Sequence, residues 1–316
     1  MQSIIVGLFM FVMVGAFAET TVLPLAAPAS ENTKSWVMPR LTASSCLDFA
    51  RTEFAKYLPE TEIALELKVD KSLGEDAFRV RERAGALEIT GGNERGCLYG
   101  VYSFLENECG ARFYTSWCTR PAVPPVAVPQ GLDRTERPAF EVRVPYWWDV
   151  INHPEFAAKL RVNANPFGTL PDCVGGNACR FGKGMPSCHT LGSLLPDAHN
   201  VCLTDATNLA VVTERVLARI AADPDARFYG ISYDDNETWC HCPRCEEINR
   251  EEGSPGGTLV QFVNAIADVV AKRFPKATLE TLAYQHRWRC WWPLSSHRRL
   301  RFSPVAARWP NTPRAK

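Results

Sequence analysis

The sequence predicts an α/β protein in two parts: a small α+β accessory domain, then a (β/α)8-type TIM barrel that is incomplete. Three observations carry that prediction. Strand and helix periods alternate from about residue 140 to residue 284, the pattern of parallel βα units. A buried-type run, Phe228-Tyr229-Gly230-Ile231-Ser232, stops at a cluster of acids and amides, Asp234, Asp235, Asn236 and Glu237. A barrel presents its working groups at the C-terminal ends of such strands. The stretch from about 36 to 120 mixes period-2 strands with two amphipathic helices, which is a sheet with helices on one side.

Length and composition set the frame. The chain has 316 residues, enough for two domains, with 46% hydrophobic and 22% charged residues, so a packed core is expected. The formal net charge is zero, which gives no electrostatic footprint for nucleic acid or an anionic membrane surface. Ile4 to Phe17 is a continuous apolar run, and Ala16-Phe17-Ala18 is a small-x-small cleavage site before Glu19. The run is shorter than the ~20 residues of a membrane span. A signal peptide over 1–18 is expected, with cleavage near Ala18 and export to the periplasm or the extracellular space. No other run is long enough to span a bilayer, so no stable membrane span is expected.

The elements follow in order. Residues 19–35 read as a flexible lead-in. Trp36 to Leu41 reads as a strand, and Ser44 or Ser45 caps a helix from Leu47 to Tyr57. Glu62 to Val69 alternates as a half-buried strand, and Ala77 to Arg83 with Ala86 to Thr90 forms a hairpin around Ala84-Gly85. A helix spans Glu94 to Glu108, with Leu98, Val101, Tyr102 and Leu105 on one face, and Arg112 to Tyr114 is a last strand. Residues 121–139 are a proline-rich, semi-rigid linker. The barrel part, 140–286, opens with a strand at Phe140 to Val144 and a helix at Glu155 to Leu160. Residues 165–200 form a long loop, a length associated with function. A short strand at Val201 to Leu203 leads to a helix over Asp205 to Ala221. The strand Phe228 to Ser232, a helix over Thr258 to Phe274 and a strand at Leu279 to Tyr284 complete the series.

The chemistry gathers around the acidic strand end. Glycoside hydrolysis uses two carboxyl groups, and Asp235, Glu237 and Asp234 are the candidates. On an extended segment Asp235 and Glu237 point the same way and Asp234 to the other face. The plainer reading is that they cap the next helix or bind loop amides. His189 suits substrate binding or proton transfer, or a structural hydrogen bond. Trp239, Tyr284, Tyr146, Trp147 and Trp148 offer stacking faces for sugar rings and equally ordinary core. Cys240-His241-Cys242-x-x-Cys245 has metal-ligand spacing, with a fourth ligand from Cys173, Cys179, Cys188 or His189. Twelve cysteines in an exported chain suit disulfides as well. Structural zinc and a disulfide both stand at this point. No cofactor is required for the expected chemistry.

Two resemblances sharpen the reading. The run Gly85 to Glu106, from Gly85-Ala-Leu-Glu-Ile-Thr-Gly-Gly-Asn to Leu105-Glu106, with Gly110-Ala-Arg-Phe-Tyr-Thr115, resembles the accessory domain that precedes the barrel in β-hexosaminidases and α-glucuronidases. In those families it supports the barrel and carries no catalytic group. The second half is similar to the DUF4838 family, a barrel family linked to glycoside hydrolases. The residues that carry this are Arg161-Val-Asn163, His189-Thr-Leu, Cys202-Leu-Thr204, Ser232 with Asp235-Asn236, Cys240-x-Cys242-x-x-Cys245, Phe262-Val-Asn264 and Thr281-Leu-Ala-Tyr284. The resemblance implies a glycoside hydrolase-like protein of carbohydrate metabolism. Its partner would be an oligosaccharide or polysaccharide. Asp235 is favoured as the acid/base group, and Asn236, His189, Arg161, Asn163, Trp239 and Tyr284 as substrate-binding residues. A non-catalytic glycan-binding protein and an inactive truncated fragment are the alternatives. The resemblance ends after Gln285. Residues 287–316 hold eight Lys/Arg, no acid and four of the nine tryptophans, and read as a truncated or frame-shifted end.

Overall fold

The computed structural model describes residues 5–7, 44–123, 128–185, 188–195, 201–236, 238–253 and 256–282. The expected strand at Trp36 to Leu41 and the tail 287–316 lie outside them, as does most of the apolar N-terminal run. Three residues of that run form β1 (Ile5–Gly7), which lies parallel to the last strand and pairs Ile5 with Glu280 and Gly7 with Leu282.

The first layer forms as its patterns predict. Helix α1 (Cys46–Tyr57) starts at Ser45, whose hydroxyl accepts from the Asp48 N–H, a cap that contributes about 1 kcal/mol. Strands β2 (Leu65–Val69), β3 (Phe78–Arg83) and β4 (Ala86–Gly91) and helix α2 (Glu94–Asn107) follow. Asn93 caps α2 by accepting from the Gly96 N–H. A short hairpin, β5 (Arg112–Phe113) with β6 (Thr119–Arg120), comes next. The sheet order is β2-β4-β3-β7, with β2 parallel to β4 and the other pairs antiparallel.

Its fourth strand corrects the linker. Strand β7 (Asp133–Glu136) pairs Glu136 with Phe78 and Asp133 with Arg81. The proline-rich segment therefore returns to complete the sheet. An edge strand tolerates an all-polar sequence because one row of backbone groups faces solvent.

Leu87 and Ile89 point to the helices, while Glu88 faces the other way under Lys68, Arg81 and Arg83. Helix α2 is buried on nearly every side. It approaches the sheet closely at Gly100, where a Cβ would stand 2.4 Å from the Ile89 side chain.

The second part does not begin where the linker ends. Helices α3 (Trp148–Asn152) and α4 (Pro154–Lys159) place Val150, Phe156, Ala157 and Ala158 in the same hydrophobic cluster as α1 and α2. Val162, Leu170, Cys173 and Val174 join it. Polar groups cross the same junction. The Tyr99 hydroxyl donates to the Val162 carbonyl at 2.9 Å, and Tyr102 donates to Glu53, which also receives Lys159 at 3.6 Å.

The remaining elements build a second core. They are α5 (Leu191–Leu194), α6 (Ala206–Ala222), β8 (Phe228–Gly230), α7 (Pro243–Glu251), α8 (Gly256–Arg273) and β9 (Thr278–Leu282). Asp205 caps α6 by accepting from the Thr207 and Asn208 N–H groups. Val212, Val216 and Ile220 of α6 meet Phe262, Val263, Ile266 and Val270 of α8 over Tyr229, Ile231 and Leu279. The sheet is three-stranded and parallel, in the order β1-β9-β8.

No closed barrel forms among the described residues, and the architecture is mixed α/β. The reason lies in the backbone pairing. Phe140 to Val144, expected as a strand, makes no ladder, and the Arg143 carbonyl accepts one bond from the Asn163 N–H. Phe181 meets Phe228 through a single parallel bridge. Val201 to Leu203, expected as a strand, enters a turn that leads to the α6 cap.

Candidate functional site

The acidic turn follows from the way β8 ends. Beyond Gly230 the chain stays extended to Ser232, whose carbonyl accepts from the Thr190 and Leu191 N–H groups at 3.2 and 3.0 Å. The Thr190 hydroxyl accepts the Ser232 N–H in return at 3.0 Å. The long loop thus grips the strand just before the carboxylates. Asn236 closes the turn. Its N–H donates to the Asp234 carbonyl at 2.8 Å, and its Oδ1 accepts from the Thr238 N–H and hydroxyl at 3.0 and 2.7 Å. This is the side-chain-to-backbone bonding that makes Asn a turn former.

Asp234 and Asp235 occupy different settings. Asp235 is exposed. Asp234 lies against Gly192 of α5, where a Cβ would stand 2.6 Å from its Oδ2. His189 is beside them in a left-handed conformation, φ 54, with Nδ1 3.2 Å from the Tyr233 carbonyl. That contact puts the hydrogen on Nδ1. His189, Asp234, Asp235 and Asn236 are therefore brought together. Trp239 lies on the same loop, its ring 5.1 Å from that of His241.

Arg161 and Asn163 are not brought to this turn. Arg161 pairs with Glu106 of α2 at 3.0 Å. Asn163 is buried, donating to Asp76 at 3.0 Å and to the Glu141 carbonyl at 2.7 Å while its Oδ1 accepts the Arg143 N–H. Asp76 also receives Arg95 at 2.7 Å, Arg143 at 2.6 Å and Asn93 at 3.0 Å. Burial pushes this carboxyl up, and the two guanidiniums more than offset it, so Asp76 titrates below the usual range. Asp76, Asn93, Arg95, Arg143 and Asn163 line a polar cavity of about 640 Å³ between the first layer and the segment 138–178. Glu237 and Tyr284 lie outside the described residues.

One carboxyl was not anticipated. Glu280 of β9 is buried, and burial holds its acid in the neutral form up to about pH 8. Its register explains the setting. Gly230 is level with Glu280 and Phe228 with Thr278, and paired residues share a face. Tyr229, Ile231 and Leu279 fill the α6–α8 side, while Phe228 packs with Ala164 and Cys179 on the other. Glu280 belongs to that second face. It is within electrostatic reach of Cys188, whose thiol is raised first by burial and then by Glu280 and Asp235. The sequence signal was a lone acid in the buried strand Thr278-Leu279-Glu280-Thr281-Leu282.

The cysteine cluster is a compact group of four. Cys202, Cys240, Cys242 and Cys245 place their sulphurs within 4.8 Å of one another, an arrangement able to hold a metal ion. The fourth member is Cys202, not Cys173, Cys179, Cys188 or His189. It comes from the turn that replaces the expected Val201 to Leu203 strand. All eleven described cysteines are free thiols. The Cys245 N–H and the Thr204 hydroxyl pull the Cys242 thiol down, while burial pushes Cys240 up.

These features define a mixed α/β protein with an acidic turn and a four-cysteine cluster at the end of a parallel strand. The chain belongs to the family described as a domain of unknown function (DUF4838), which matches residues 113–290, more than half its length. No curated protein matches it in sequence. Among solved structures it is similar to a protein described as a GH138 enzyme targeting pectin rhamnogalacturonan II, at 12% identity and a TM-score of 0.25. That alignment covers 77% of this chain and 30% of the other, and a likeness at this level carries no argument about fold or activity. Among the described residues no helix is long and apolar enough to cross a membrane.

Proposed function

We propose that this is a carbohydrate-active protein that cleaves glycosidic bonds by paired carboxyl chemistry. The observation that carries the reading is a buried acid, Glu280, in β9 beside β8, the strand whose chain runs on to the exposed Asp235. A buried carboxylic acid that keeps its proton at neutral pH suits protonation of a leaving group. Asp235 would be its partner, with Asp234 and Glu237 as the other carboxyls of the turn. His189, Asn236, Trp239 and Tyr284 would contact sugar. The strand–helix succession around β8 and β9 supports a barrel-type arrangement as the scaffold, with the 36–120 layer as accessory domain. Export after cleavage near Ala18 belongs to the same reading, and the mature chain would then lack β1 and keep β9 and β8 of that sheet. The reaction needs no cofactor.

The test is turnover of a panel of 4-nitrophenyl glycosides and plant and bacterial polysaccharides, comparing the protein with Asp235→Asn and Glu280→Gln. The expected result is hydrolysis that falls at least a hundredfold in either variant, the scale of lost acid–base catalysis. Hydrolysis at the original rate in both would overturn it. A second reading, glycan binding without turnover, is favoured by an exposed aromatic group. Trp148 is 65% exposed and stacks on Phe167 at 5.7 Å, with Tyr146 edge-on at 5.8 Å. Saturable binding without products would establish that reading instead.

A further inference from the structure

We propose that Cys202, Cys240, Cys242 and Cys245 bind one zinc ion as a closed tetrathiolate centre that staples together the two loops leading into α6 and α7. This inference stands apart from the glycosidase reading and survives its failure.

The sulphur geometry is the first argument. A zinc–thiolate bond is ~2.3 Å, so the edge of a regular tetrahedron of sulphurs is about 3.8 Å. Cys202 Sγ stands 3.7 Å from Cys242 Sγ and 3.8 Å from Cys245 Sγ. A disulfide would need about 2.05 Å. The four groups are therefore spaced for an ion among them and too far apart for a bond between any of these pairs.

The local build is the second. Cys242 is the N-cap of α7, and Pro243 takes the first helical position, where no N–H is needed. Cys245 falls three residues on, one turn up the same side of the helix. The Cys242 N–H points back at Cys240 Sγ, 3.5 Å away. Cys202 enters from a turn of its own, fixed by Asn208 Nδ2 donating to the Cys202 carbonyl at 3.0 Å.

The surroundings are the third. Thr204 Oγ1 stands 3.3 Å from Cys202 Sγ, 3.3 Å from Cys245 Sγ and 3.7 Å from Cys242 Sγ. A hydroxyl in that position donates to a metal-bound thiolate and orients it. His241 is turned away, with Nδ1 2.6 Å from Glu246, so the donor set is sulphur alone. Four soft ligands and no open position define a structural zinc site and leave no place for a substrate.

The consequence falls on the acidic turn. Ser232 is gripped on one side by Thr190 and Leu191, and Cys240 anchors the chain on the other. The segment between them carries Asp234, Asp235 and Asn236. Zinc fixes its far end.

The experiment uses the full chain, purified under reducing conditions without added chelator. Bound zinc is measured by atomic emission, and Co2+ replaces it for absorption spectroscopy. One zinc per chain, and cobalt bands typical of four thiolates, are expected. Cys202→Ser should lower zinc affinity at least tenfold, while Cys188→Ser retains it. Zinc well below one per chain, a cobalt spectrum with fewer than four thiolates, or full affinity in Cys202→Ser would each overturn the proposal. Should Cys202→Ser not fold, the cobalt spectrum of the unaltered protein decides alone. Hydrogen exchange after chelation reads the loop: faster exchange over 233–245 is expected, and an unchanged rate would overturn the stapling role.

Discussion

Asn163 Nδ2 donates to Asp76 Oδ2 across 3.0 Å, joining residues 87 positions apart in the chain. Around that bond Arg95 and Arg143 converge on the same carboxylate. Removing one member of a buried charged network strands the others. Asp76→Ala is expected to destabilise the protein by about 3–5 kcal/mol, measured by urea unfolding.

The same network fixes a response to acid. Asp76 titrates lower in the folded state than in the unfolded chain. Its stabilisation is fully present above the unfolded value and is lost as pH falls through the folded one. Asp76→Asn should remove that part of the acid dependence. An identical acid-unfolding midpoint in the variant would show that the carboxylate does not carry it.

Glu280 gives the opposite sign. Its folded value of about 8 lies above its ordinary value of 4.5, so the native state holds a proton that the unfolded chain has already released. The Glu280 contribution to stability is greatest below the unfolded value and declines as pH rises toward 8, by up to a few kcal/mol. Glu280→Gln keeps the shape and cannot ionise. Its urea midpoint should change much less between pH 5 and pH 8 than that of the original chain.

Tyr99 tests the junction between the two parts without disturbing charge. Its hydroxyl bond to the Val162 carbonyl is buried. Tyr99→Phe leaves the ring in place and orphans that acceptor, at a cost of about 1–2 kcal/mol in thermal or urea unfolding.

Gly192 tests the acidic turn. A Cβ there meets the Asp234 carboxylate and would push it aside. Gly192→Ala is expected to change stability by less than about 1 kcal/mol, because the contact is with the free end of a side chain. On the glycosidase reading its effect on hydrolysis should be the larger one, seen as a slower rate on any substrate that the panel turns over.

What the sequence showed depended on where each element finds its partners. Helices α1, α2, α6 and α8 were legible because each carries an apolar stripe, and Ser45, Asn93 and Asp205 cap the first three. Strand β7 was not, since Asp133-Arg134-Thr135-Glu136 has no apolar face and forms by hydrogen bonding to β3. Helix α7 was hidden for a similar reason. Only Cys245 and Asn249 are buried along it, and Asn249 is held by the Thr258 hydroxyl of α8. At the site, the acidic turn and the Cys240-x-Cys242-x-x-Cys245 motif were visible as local strings. Cys202 and Glu280 come from distant segments, and only tertiary packing brings them in. Arg161 and Asn163 were singled out for sugar contact, and in the structure Arg161 pairs with Glu106 and Asn163 with Asp76, away from the acidic turn.

The hydrophobic cluster that runs from Phe49 through Leu98 to Phe156 and Val174 ignores the proline-rich boundary. Exchanging one part of a unit welded in this way would leave apolar faces unmatched on both sides of the seam. Recombination that replaced residues 36–120 with a homologous layer would have to bring matching partners for α3 and α4 with it. The two parts are therefore expected to have diverged as one inherited block.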